Sequence, residues 1–382
     1  MELLAGYVPA EKQTLLFSAT MPAGLRAVMS KAMRPDFTTV DCIGDDSQAT
    51  EGAGATHAHD QVQQHHMITD TDESIIQSSF DVLRTIVEQG DIAQQDPATG
   101  LETTSPPKLM VFLPTANLTK FYASLWQKVH EKKKRQNNRY MSYEMHSRKS
   151  QSQRSKVQAL FHKTPTGILF SSDVSARGVD YPGVTHVVQI GAPPSVEQYV
   201  HRLGRTGRAG KKGTGILILT PFEKDFLKSL QQGGVACHHV DQNESWSLVK
   251  STPAEQEQVN ELLHRDATKK LRDPEAVCEF DAGKAYQSWL GNLMGGTIPK
   301  GTKRRGKDEY VKFANGFAKA AGYTSGVMPG LAAQTVGKMG LKGVAGINIV
   351  KKAYTKQNPL PKKKRNPLGS RPAPVGRNRN RN

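Results

Sequence analysis

Four short apolar runs, Leu109–Leu113, Gly167–Ser171, Thr185–Ile190 and Gly215–Thr220, are separated by stretches in which apolar residues recur every three or four positions. Such runs, apolar on both alternations, predict strands covered on both faces, as in a parallel sheet. The intervening stretches predict helices: Ser74–Glu88 places Ile75, Ile76, Phe80, Leu83, Ile86 and Val87 on one stripe, and Asn117–His130 and Gln151–Phe161 follow the same period. A further strand is expected to begin at Val62 and a short one near Tyr140–Met145. Strand and helix in alternation are the signature of an α/β fold, a parallel sheet flanked by helices. Gly90–Pro107 interrupts the pattern with Pro, Gly and Thr and reads as a flexible surface loop. Leu15–Phe17 is one more apolar run, with Ser18 and Thr20 at its carboxyl end, where open α/β sheets bind ligands.

Beyond residue 245 the period is helical. Pro253–Arg272 and Ala276–Met294 predict helices, and from Lys351 the chain is rich in Lys, Arg, Pro and Asn with no Asp or Glu, a tail that cannot bury enough apolar surface to fold alone. The expected divisions are 1–41, a strand-helix-strand piece; 42–60, a linker; 61–245, the main α/β unit; 250–350, a helical extension; and 351–382, a basic disordered tail.

Charge sharpens the picture. Fifty-two Lys and Arg against 35 Asp and Glu leave a formal +17, which calls for a polyanionic partner. Nucleic acid is favoured over a membrane surface, because no apolar stretch is long enough to span a bilayer. The three cysteines, Cys42, Cys237 and Cys278, are scattered without a CxxC pair and suit a reducing compartment. No signal or transit pattern stands at the amino terminus, so an intracellular protein is expected. Cys237-His238-His239 and the histidines 57, 59, 65 and 66 lack a second cluster at ligand spacing, and no metal site is expected.

The densest chemistry lies in Phe170–Gly210. His201, Gly204, Arg205 and Arg208 are spaced i, i+3, i+4 and i+7, which gives one basic face if the run from Ser195 is helical. Guanidinium forks beside two glycines suit a phosphate-bearing ligand. Ser172-Asp173-Val174-Ser175-Ala176-Arg177-Gly178-Val179-Asp180 resembles motif V of the DEAD-box RNA helicases, and His201-Arg202-Leu203-Gly204-Arg205-Thr206-Gly207-Arg208 resembles their motif VI. Ser18-Ala19-Thr20 followed by Met21-Pro22 resembles motif III, Pro114-Thr115 motif IV, and Gln151 with Arg154 the family's QxxR element. Ser147 stands where that element's turn carries Gly, and Ser172 where motif V carries Thr. Ala285–Leu290 and Val336–Gly343 resemble the helical extension of organellar DEAD-box proteins that act as RNA chaperones.

The resemblance implies a RecA-like helicase carboxyl-terminal domain working with ATP, Mg2+ and single-stranded or structured RNA. It implies that Arg205 and Arg208 reach the γ-phosphate and that Asp180 and Gly178 belong to the nucleotide site. His201 would link to Ser18 and Thr20 between domains, and Thr115, Gln151, Arg154, Ser172 and Gly178 would face RNA. No GxxxxGK followed by Ser or Thr and no Asp-Glu-x-Asp occurs, so the chain is expected to be the carboxyl-terminal portion of a longer helicase, inactive alone. The rival is a non-catalytic RNA-binding protein derived from such a domain; a DNA-directed motor of the same superfamily is a third. The extension suggests a mitochondrion or plastid, while Pro361-Lys362-Lys363-Lys364-Arg365 reads either as a nuclear localisation signal or as a non-specific RNA tether.

Overall fold

The computed structural model describes residues 13–16, 23–40, 61–95, 100–176, 180–208, 210–240, 277–295, 305–323 and 328–350. Ser18, Thr20, Gly178, the linker, the helix expected at Pro253–Arg272 and the basic tail with Pro361–Arg365 lie outside these residues.

A seven-stranded sheet forms the centre, in the order β5-β6-β4-β7-β8-β1-β9, with every neighbouring pair parallel. Its strands are β1 (Val62–Ile68), β4 (Lys108–Phe112), β5 (Ser142–Met145), β6 (Gly167–Ser171), β7 (His186–Ile190), β8 (Gly213–Leu219) and β9 (His238–His239). Along β4 the side chains alternate: Leu109 and Val111 enter one core, Met110 and Phe112 the other. Both cores are covered by helices, so an unbroken apolar run is what the strand requires. This is the parallel α/β sheet expected from the alternating pattern, and the RecA-like helicase carboxyl-terminal fold that the resemblance implies.

On the first face lie α2 (Ile75–Glu88) and α3 (Ala116–Val129), packed through Phe80, Phe121, Tyr122 and Trp126, and the short α4 (Glu131–Gln136) follows α3. The opposite face carries α5 (Gln151–Lys163), α6 (Val196–Leu203) and α7 (Phe226–Gln232), with Phe161, Tyr199, Leu203 and Phe226 buried beneath them. Hydroxyl caps start three of these helices where the chain leaves a strand or turn. The Thr115 side chain accepts from the Leu118 amide, Ser195 accepts from Gln198, and Ser150 forms a reciprocal capping box with Gln153.

The extension completes the first core rather than standing apart. Helices α8 (Val277–Met294) and α9 (Lys307–Ala320) bring Trp289, Phe313 and Phe317 against Phe121 and Phe222. The Phe222 and Phe313 rings stack 4.3 Å apart, and the Arg305 guanidinium lies 4.1 Å from the Phe222 ring centre.

Three expectations change. Gly90–Pro107 is not a plain loop: β2 (Ile92–Gln95) and β3 (Glu102–Ser105) pair antiparallel as a hairpin. Its strands are polar and β3 is largely exposed, so no hydrophobic period announced it. The strand expected at Leu15–Phe17 is not formed over its described part; Leu15 is 65% exposed, and no described strand offers its backbone a partner. A helix does follow it, α1 (Ala23–Ala32), and Phe37–Val40 beyond is again outside any strand. The third change concerns α6 and bears on the site.

Candidate functional site

Helix α6 ends at Leu203, so only His201 of the four residues expected on one helical face is helical. Gly204 caps the helix, and the chain then tightens: the Arg205 amide donates to Arg202 O at 3.1 Å and Thr206 to Leu203 O at 3.1 Å. Thr206 is buried and its hydroxyl donates to Val184 O at 2.7 Å, pinning the turn beside the start of β7. Gly207 has φ +65°, and a Cβ there would stand 2.4 Å from Val62 Cγ2, so this glycine serves the turn and its packing on β1 rather than the approach of a ligand.

The two arginines nonetheless converge. Arg205 Nε donates to His201 O at 3.4 Å and Arg208 Nε to Gly204 O at 2.8 Å, each reaching back four residues. Arg208 Nη1 also meets Asp180 Oδ1 at 2.5 Å. Burial, with Arg208 close by, pulls Arg205 down to about 10, against the opposing pull of Asp180 and Tyr181. Arg205 therefore stays charged near neutral pH, beside the Arg208 guanidinium and the Asp180 carboxyl that Arg208 holds. That donor set fits a nucleotide: forks for phosphate oxygens and an acid for a ribose hydroxyl. It offers magnesium little, since among the described residues no three His, Cys, Asp or Glu side chains gather as ligands.

A second group stands at the carboxyl ends of the strands. Ser172 follows β6, is 7% exposed, and its amide donates to Met145 O at 3.1 Å. Its hydroxyl makes no capping bond to the short helical turn that it begins. Arg154 donates to Gln151 Oε1 at the start of α5, so the QxxR pair is a direct contact. Thr115 follows β4 and caps α3. The turn with Ser147 in place of Gly is closed by Lys149 N, which donates to His146 O at 3.1 Å, while the His146 ring bridges Glu144 and the Arg148 amide. Burial alone would push Glu144 up, but the bonds from His146 and Lys149 outweigh it and hold the carboxyl below its usual range.

The two groups sit at opposite ends of the strands. Thr206 meets the residues just before β7, whereas Thr115 and Ser172 follow β4 and β6; five residues of strand span roughly 16 Å at about 3.3 Å per residue. What joins them is Arg202, named within motif VI but given no role by sequence reasoning. It is fully buried, donates through Nε to Asp173 Oδ1 at 2.7 Å, faces Gln189 at 3.5 Å, and lies 5.5 Å from the Phe112 ring centre. Gln198 of α6 donates to the same Asp173 oxygen at 2.8 Å. The residue after Ser172 is thereby fastened to the helix that leads to Arg205 and Arg208. A charged residue among the apolar positions of α6, with an acid at the head of motif V, was the available signal.

Residues 94–210 match the helicase conserved C-terminal domain. DEAD-box ATP-dependent RNA helicase 31 of Arabidopsis thaliana is 36% identical over 347 residues, covering 91% of this chain and 40% of the relative. Helicase 25 of Oryza sativa subsp. japonica is also 36% identical, over 91% of this chain and 49% of the relative. The mitochondrial ATP-dependent RNA helicase mss116 of Aspergillus oryzae is 32% identical, over 88% and 46% respectively. The chain thus spans half or less of each of these three relatives. Among solved structures, Mss116p bound to ssRNA and AMP-PNP shares the fold with a TM-score of 0.60 at 21% identity, covering 88% of this chain and 58% of that one. Mss116p helicase domain 2 bound to an RNA duplex covers 76% of this chain and 100% of its own, with a TM-score of 0.52 at 20% identity. With motifs V and VI carried on this sheet and these relatives sharing nine-tenths of its length, the chain belongs to the DEAD-box RNA helicase family, matching its carboxyl-terminal portion.

Proposed function

We propose that this chain supplies the RNA-gripping and arginine-finger half of an ATP-dependent RNA helicase of the RNA-chaperone kind, and that alone it does not hydrolyse ATP. The observation that carries the reading is the linkage through Arg202: one buried guanidinium fastens Asp173, next to Ser172 at the carboxyl edge of the sheet, to the helix leading to Arg205 and Arg208. A phosphate loop and magnesium-holding carboxylates would come from a first RecA-like domain closing over this one, of which residues 1–41 would be the last part. In the closed state Arg205 and Arg208 neutralise charge on the γ-phosphate and Asp180 exchanges Arg208 for the ribose. His201 would meet Ser18 and Thr20 across the cleft. Thr115, Gln151, Arg154, Ser172 and Gly178 hold the RNA backbone, a mode with little base preference. The similarity to a mitochondrial relative and to plant helicases supports an organellar place of action.

The RNA half of this reading is tested on the purified chain by fluorescence anisotropy with single-stranded homopolymers across a salt series. Near-equal affinities, a steep fall with salt, weaker binding by Arg154→Ala and Ser172→Ala, and a shallower slope on deleting 351–382 are expected. Absence of RNA binding at low salt, or parent affinity in both point variants, would overturn it.

A further inference from the structure

Thr115 is the point where the extension touches the RNA edge. Its Oγ1 accepts from the Leu118 amide at 3.2 Å and lies 2.8 Å from Ser288 Oγ on α8. A hydroxyl has one hydrogen to give. Ser288 Oγ also stands 3.0 Å from Ala285 O, a carbonyl that can only accept, so the Ser288 hydrogen goes there. The hydrogen between the two side chains is then that of Thr115. Two further contacts hold α8 across the first turns of α3: Asn117 Nδ2 donates to Lys284 O at 3.1 Å, and Lys120 meets the buried Asp281 at 2.6 Å. The 115–288 contact is therefore one rung of a docked seam, with both residues only half-buried and open to an arriving strand.

A phosphodiester oxygen can only accept. With its single donor directed at Ser288, Thr115 must give up that bond before it can donate to such an oxygen. We infer that Ser288 is a positioning residue that restrains the Thr115 hydroxyl from RNA phosphate, so that the extension sets RNA affinity through this one contact. The inference rests on the reading of Thr115 as an RNA-backbone contact. No base is involved, so the effect is the same for every sequence. No charge changes either, so counterion release is untouched.

The test is single-stranded RNA affinity of the full 382-residue chain for Ser288→Ala, Ser288→Thr, Thr115→Ala, the Ser288→Ala/Thr115→Ala double variant and Arg154→Ala. Ser288→Ala should bind roughly two- to tenfold tighter, the range one net hydrogen bond supplies, with an unchanged salt slope. Ser288→Thr keeps the hydroxyl and should match the parent. In the Thr115→Ala background the gain should vanish, which a merely structural role for Ser288 would not produce. Unchanged or weaker binding by Ser288→Ala, or a gain that persists without Thr115, overturns the inference. If Arg154→Ala weakens binding while Ser288→Ala is silent, the inference falls alone; if Arg154→Ala and Thr115→Ala both bind like the parent, the RNA-edge reading falls and the inference with it.

Discussion

Asp173→Ala should destabilise the chain, and adding Arg202→Met should restore most of the loss. Arg202 is fully buried, whereas the side chain of Asp173 is 43% exposed. Charge centres about 4 Å apart attract by roughly 4 kcal/mol at an effective dielectric of about 20. Burying the guanidinium costs several kcal/mol, so the intact pair contributes little net stability. Removing Asp173 alone is another matter: the cation stays buried with Gln189 at 3.5 Å as its remaining partner, and Nη2 has none among the described residues. Breaking a buried pair from one side costs about 3–5 kcal/mol; water reaching the half-exposed acid's place lowers this to roughly 2–3 kcal/mol. Met at 202 is unbranched, carries no charge and can lie on the Phe112 ring. The double variant should thus return to within about 1 kcal/mol of the parent, a coupling of about 2 kcal/mol. Urea unfolding followed by tryptophan fluorescence reads this as a shift in midpoint at constant slope. A loss under about 0.5 kcal/mol for Asp173→Ala, or two substitutions whose effects simply add, would refute the reasoning.

Lys108, buried beneath Phe161 with its ammonium on Pro182 O, is pulled down to about 8 from 10.5 by burial. Between those values the unfolded chain holds more protons than the folded one, so this group makes stability rise with pH from about 8 to about 10.5 and imposes its full cost below that window. The stability of Lys108→Met relative to the parent should therefore decline between about pH 7 and about pH 10 in thermal melts, and a difference flat with pH would contradict the assignment. Trp289→Ala should cost about 3–5 kcal/mol, because its ring centre lies 4.9 Å from that of Phe317 and 5.1 Å from that of Phe313 within the shared core. Unfolding should remain a single transition; a separate early step would show that the extension is an independent unit.

The strands were legible because they are buried on both faces. Leu109–Phe112 and Ile168–Phe170 are buried and apolar at every position, and such runs leave little room for error in placement. The hydroxyl caps Ser150 and Ser195 at the starts of α5 and α6 emerged only from the structure. The β2–β3 hairpin escaped because its strands cover no core. The end of α6 was misjudged because Gly204 and Arg205 keep the helical spacing; the turn is imposed by Thr206 on the Val184 carbonyl and by Gly207 against Val62, contacts distant in sequence. For the same reason the roles of Arg202 and Ser288 were hidden: each depends on a partner in another segment, Asp173 and Thr115. That the extension shares one core with the sheet follows from Phe222 meeting Phe313, and no local pattern encodes that pairing.

The central claim is that Arg205 and Arg208 act on a transferring phosphate. It is tested most directly by fusing this chain behind the first RecA-like domain of a related helicase and measuring steady-state ATP hydrolysis against ATP and RNA concentration. Asp180→Ala serves as the nucleotide-side control and Arg154→Ala as the RNA-side control. An arginine that meets phosphate mainly in the transition state affects turnover more than nucleotide affinity. Arg205→Ala and Arg208→Ala should each lower saturated turnover by about 10³-fold or more while changing the KM for ATP far less, and Lys at either position should not restore it. Near-parent turnover at saturating ATP and RNA for both alanine variants would contradict the account and assign the basic cluster to RNA instead.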